Sequence, residues 1–189
     1  MTGSILQFAK DFEKLKSDFA STKQADLQIL LLISFWPKFE DKITDPKFEP
    51  YKDEYISMLT MAVSESNLHD LKIADHIELY NIINQLFQIG CDLYGIEKKA
   101  AINLAQKYFV SGEMQRGIEL CNRFIEKPVE IDSPDDNLSE FDSFKEICEK
   151  ARAANQELYN ILFPILVEWK AIKEPVKFDG ANCLFVEKD

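Results

Sequence analysis

The stretch Glu97–Pro128 constrains this chain most, because it reads as two short helices closed around Ser111 and Gly112. The first carries Ala101, Leu104, Ala105 and Tyr108 on one stripe; the second carries Gly117, Ile118, Cys121, Phe124 and Ile125. Ala105 and Gly117 are small where two crossing helices come closest, and aromatic side chains fill the flanks. That is the layout of an αα-hairpin, and it predicts a scaffold of helix on helix. It carries no reaction chemistry of its own.

Composition agrees with such a scaffold. With 46% hydrophobic and 29% charged residues the 189-residue chain is globular, and 6 Gly with 7 Pro favour helices over a fold of many tight turns. The 14 Phe predict a core thick with aromatics. Twenty-two Lys and Arg against 33 Asp and Glu give a formal charge of −11. Nucleic-acid phosphates and anionic membrane surfaces repel a chain of that charge, and the one adjacent basic pair, Lys98 and Lys99, does not reverse it. A basic protein partner is compatible with it, and so is plain solubility.

Ile5, Phe8, Phe12, Leu15 and Phe19 alternate spacings of three and four, one seam of an amphipathic helix entered through a Ser4–Gln7 capping box. A second helix, from about Lys23 to Trp36 with Thr22 as its cap, is apolar around almost its whole circumference and belongs in the middle of the fold. Its apolar run is too short to span a bilayer. Pro37, Pro46 and Pro50 mark an irregular acidic connection whose Phe39 and Phe48 fold back onto the body. A third helix is expected over Lys52–Val63, a break at Ser64–Asn67, and a fourth helix from Leu68 to Ile89 stopped by Gly90. After the loop Pro128–Ser139 a long helix runs from Ser139 to Ile172, kinked or divided at Pro164. Val176–Phe178 and Cys183–Val186 read as two short strands.

The segment Glu78–Ile82 recurs as Glu157–Ile161, with Ala74 matching Ala153. The repeat places Tyr80 and Tyr159 at equivalent positions. The hairpin at 97–128 also resembles, locally, the tetratricopeptide helix pair: Leu104, Ala105, Tyr108 and Gly117 stand where that family favours large, small, aromatic and small residues. Pro128 comes one residue early, Cys121 replaces an aromatic, Ala101 replaces the opening Trp, and no second copy follows in register. The resemblance implies packing of one helix pair, not membership in an array, which would need neighbouring repeats.

Constellations that carry chemistry are sparse. His69 and His76 lie two helical turns apart, about 10.5 Å, and cannot share a metal; Glu65 and His69 are separated by the predicted break. Asp135, Asn137, Ser139 and Glu146 have calcium-loop spacing, but Glu140 stands where the turn needs glycine. Ser133 and Ser139 precede acidic residues, as kinase-modified serines do. Cys91, Cys121, Cys148 and Cys183 show no metal-site spacing and read as reduced thiols of an intracellular protein, and the segment after Met1 lacks the pattern of a signal peptide.

The expectation is therefore an all-α chain: one mainly helical domain of about seven helices over 1–175, and residues 176–189 as a small hairpin or extended tail. The expected function is that of a non-catalytic protein-interaction module, an adaptor, assembly factor or complex subunit in the cytoplasm. No catalytic residue, metal or cofactor is assigned. Tyr80, Tyr159, Trp36 and Trp169 are the candidate partner contacts, being residue types favoured at binding hot spots. An acidic inhibitor masking a basic protein is the alternative, and a ligand binder or enzyme with a pocket between helices is the third.

Overall fold

The computed structural model describes residues 2–68, 70–126, 128, 131 and 138–173, with side chains described from residue 5 to residue 170. Among the described residues there are eight α-helices and no strand, so the chain is all-α. The predicted strands at 176–186, the loop 132–137 with Ser133, Asp135 and Asn137, and the side chains of His69 and Cys183 lie outside the described residues. The chain divides into two compact units, Met1–Glu126 and Lys127–Asp189.

In the first unit, α1 (Thr2–Ser21) buries the predicted seam: Phe8, Phe12, Leu15 and Phe19 are all buried. The helix begins at Thr2, so Ser4 lies within it and does not cap it. Helix α2 (Ala25–Phe35) packs against α1, α3 and α4, as expected for a helix with no polar face. Thr22 does not cap it. Its hydroxyl donates back to the Asp18 carbonyl at 2.8 Å and closes α1 instead. Buried Gln28 ties the turn, its amide donating to the Phe19 and Thr22 carbonyls at 3.1 and 2.8 Å.

Three short 3₁₀ turns, Trp36–Lys38, Glu40–Lys42 and Pro46–Phe48, form the connection to α3 (Glu49–Glu65). Phe39 and Phe48 do fold back. Together with Phe8, Phe12, Phe35 and Tyr51 they make a continuous aromatic cluster, in which the Phe8 ring lies 4.9–6.0 Å from five others. Tilted and edge-on contacts outnumber stacked ones, as the ring quadrupoles favour. Tyr55 is fully buried beside Trp36, and its hydroxyl donates to the Leu32 carbonyl near the end of α2 at 2.9 Å.

The break after α3 is longer than predicted. Helix α4 starts only at Ile73 and ends at Gln88, and Leu68 and Leu71 are buried outside any helix. Beyond Gly90, whose φ of 84° ends the helix as expected, α5 (Ile96–Val110) and α6 (Met114–Asn122) form the anticipated hairpin, turning at Gly112 with φ of 80°. The aromatic that fills it is Phe109, fully buried, whereas Tyr108 is half-buried under the Arg116 guanidinium, 5.8 Å from its ring centroid. Gly117 faces Phe109 so closely that a Cβ there would overlap the ring.

In the second unit, α7 (Glu140–Ala154) is capped by Ser139, whose hydroxyl accepts from the Asp142 N–H at 3.2 Å. The long helix expected over Ser139–Ile172, kinked or divided at Pro164, is instead divided at Asn155, and Pro164 lies inside α8 (Gln156–Lys173). Asn155 is extended, with φ −154° and ψ 109°, and its side-chain oxygen accepts from the N–H groups of Glu157 and Leu158 at 2.9 and 3.2 Å. A capping side chain is a stronger break here than a proline that a helix tolerates with one lost bond. Helices α7 and α8 pack on each other, with Trp169 edge-on to Phe141 and Phe144.

Substituting Gly117→Ala is expected to destabilise the protein by about 1–3 kcal/mol in urea unfolding, overpacking outweighing alanine's better helix propensity. A variant as stable as wild type would mean that the Phe109 ring gives way freely.

Candidate functional site

The two tryptophans named from sequence are core side chains. Trp36 is 5% exposed and Trp169 8%, each packed against aromatic rings in its own unit, so neither offers surface. The two repeated segments do present equivalent faces. Leu79 and Leu158 are fully buried, as are Ile83 and Leu162, while Tyr80 and Tyr159 are half-buried and Asn81 and Asn160 exposed. Each tyrosine ring carries an arginine: Arg123 at 6.0 Å from Tyr80 and Arg152 at 5.9 Å from Tyr159. The Tyr80 hydroxyl also accepts from Arg123 at 2.7 Å. The arginines come from unrelated places, 43 residues after one tyrosine and seven before the other. The shared sequence therefore answers to a shared burial pattern on two amphipathic helices.

A polar knot surrounds the α3–α4 break. The Ser66 hydroxyl meets the Asp26 carboxylate of α2 and accepts from the Leu68 N–H at 2.8 Å. Leu68 holds a left-handed backbone, φ 64°, with its side chain fully buried. Its carbonyl lies 2.9 Å from His76 Nε2, which must carry the proton to donate to it. From α5, the Lys99 ammonium donates to the carbonyls of Ser64 and Ser66 at 2.9 and 2.6 Å, a cation at the C-terminus of α3. Burial lowers the Lys99 pKa and pushes that of His76 down to about 4, Lys107 adding to the effect on His76. This is structural work, performed by a neutral histidine 1% exposed.

Cys91 is a half-buried thiol, Cys121 and Cys148 are buried, and burial pushes Cys121 up to about 12. Among the described residues no group of three or more His, Cys, Asp or Glu is arranged to hold a metal ion.

The feature that sequence reasoning missed is a groove of about 610 Å³ in the first unit, between α3 and the loop from Ile89 to Gly95. Its apolar surface comes from Ile56, Met61 and Ile89, with Glu49, Asp53 and Asp92 also lining it. The loop is bent by three left-handed residues, Gly90, Tyr94 and Gly95, and Asp92 accepts the Tyr94 N–H at 3.0 Å. This turn presents Tyr94 at 77% exposure, beside Met61 at 45% and Ile89 at 44%. Lys52, in the same groove, is paired with Glu49 at 2.7 Å, which raises its pKa. No helix among the described residues is long and apolar enough to cross a membrane.

The low pKa of His76 sets a sign. The unfolded chain binds a proton near pH 6.5 that the folded chain refuses until about pH 4, so stability is whole above pH 6.5 and is lost as pH falls towards 4. Between pH 7.5 and 5, wild type is expected to lose about 2 kcal/mol more than His76→Gln in urea unfolding, and parallel losses in the two chains would refute the assignment. Compared with known protein families, with characterised proteins and with solved structures, the chain matches none significantly.

Proposed function

We propose that this chain is a non-catalytic protein-interaction module, an adaptor, assembly factor or complex subunit, and that the groove of the first unit is its contact surface. The observation that carries the reading is the gathering of Met61, Ile89 and Tyr94, all exposed, around one concavity. Scattered exposed apolar side chains are ordinary; a cluster bordered by charge marks a place where another surface fits. Tyr94 is also of a type enriched at hot spots. Tyr80 and Tyr159 are secondary contacts, each ring having one face under an arginine. The thiols of Cys91 and Cys121 support a reducing, cytoplasmic setting.

The inhibitor reading has one specific support, the three carboxylates lining the groove. It differs in requiring a basic partner and salt-sensitive association. Affinity purification from the native host at low and high salt, with mass spectrometry and mass photometry of the eluate, separates the readings. A stoichiometric partner retained at both salts, and lost when Met61→Glu and Ile89→Glu are combined, is the expected result. A basic partner lost at high salt would put the inhibitor first. A protein that elutes alone as a monomer would overturn the module reading.

A further inference from the structure

We infer that the groove receives a protein segment carrying a bulky apolar residue flanked by lysines or arginines. The inference rests on the reading of this chain as an interaction module and names the chemistry of its partner.

Three features select that chemistry. Ile56, Met61 and Ile89 form an apolar surface that gains by covering, and Tyr94 stands at its edge with most of its ring in water. Glu49, Asp53 and Asp92 supply three carboxylates against a single ammonium, Lys52, which is already engaged by Glu49. The groove is therefore acidic where a ligand would enter, and the −11 charge of the whole chain extends the same field outward and steers cationic partners in. At about 610 Å³ the groove lies in the range that holds a few side chains.

Other occupants fit less well. A second copy of this chain, docked face to face about a two-fold axis, would bring the same acidic lining against itself. An anionic membrane or a nucleic acid would meet these carboxylates with its phosphates. The loop also bears signs of being shaped for contact: Tyr94 occupies a left-handed conformation that a non-glycine residue adopts at a cost of about 1–2 kcal/mol, and it is highly exposed there.

The test uses the full chain and three fluorescein-labelled hexapeptides: Lys-Arg-Leu-Phe-Arg-Lys, Lys-Arg-Gly-Ser-Arg-Lys and Glu-Asp-Leu-Phe-Asp-Glu. Anisotropy is expected to rank the first tightest, with the others about tenfold weaker or more, since both charge and apolar contact contribute. Asp53→Lys combined with Asp92→Lys is expected to weaken the first peptide about tenfold, and Glu40→Lys combined with Asp41→Lys, at an exposed turn that does not line the groove, less than about twofold. Equal weakening by the two pairs, equal binding of the three peptides, or no binding would overturn the inference. Amide chemical-shift mapping on wild type keeps the test valid if a variant misfolds: shifts confined to 49–64 and 89–95 support the groove. Shifts confined to the exposed positions Phe163 and Val167 of α8 would overturn the groove while leaving the module reading intact. Conversely, groove binding by a protein that purifies from its host without a partner would preserve this inference and remove the module reading.

Discussion

Helix α2 has no polar face, and the rest of the first unit is arranged to cover it. Ile29 and Leu32 are wholly removed from water, and Phe35 nearly so, by helices α1, α3 and α4. The cover is not complete, since Leu27 is 47% exposed and Ser34 also faces water, but the buried side of α2 fixes the positions of its neighbours. The aromatic cluster on Phe8 performs this covering at the end of α2 near Phe35, and the Tyr55 hydroxyl satisfies the Leu32 carbonyl there. Because Tyr55 lies on α3, the same contact positions the wall of the groove that carries Met61.

Periodic segments were the legible ones. The α1 seam needed nothing but spacings of three and four, and Gly90 and Gly112 announced turns that require positive φ. What misled were choices between two local signals. Thr22 has the residue type of an N-cap, yet its hydroxyl serves α1, and long-range bonds from Gln28 organise the turn. Pro164 is the conspicuous breaker of the last helix, yet Asn155 breaks it, because a side chain that satisfies two orphan N–H groups defines a helix start more firmly than a proline defines an end. Leu68 had the spacing of a helix residue and is instead buried in an irregular turn, its N–H held by Ser66 and its carbonyl by His76 of α4.

The groove was less legible for a different reason. Met61, Ile89 and Tyr94 are 33 residues apart end to end, and nothing in their local sequence says that they share a surface. Tertiary contact between α3 and the α4–α5 loop makes them neighbours. The tryptophans illustrate the converse: residue type suggested exposure, and the apolar runs that precede Trp36 and Trp169 carried them into the core. Hot-spot composition is a property of interfaces already formed and is a weak guide to which aromatic side chains remain outside.

The three left-handed residues in six positions of the α4–α5 loop bear on what that loop tolerates. Glycine adopts that conformation without cost, and it does so at 90 and 95. Tyrosine at 94 enters it against a steric penalty, and glycine there would remove that penalty while loosening the unfolded chain, so the turn is held by its surroundings and not by residue type alone.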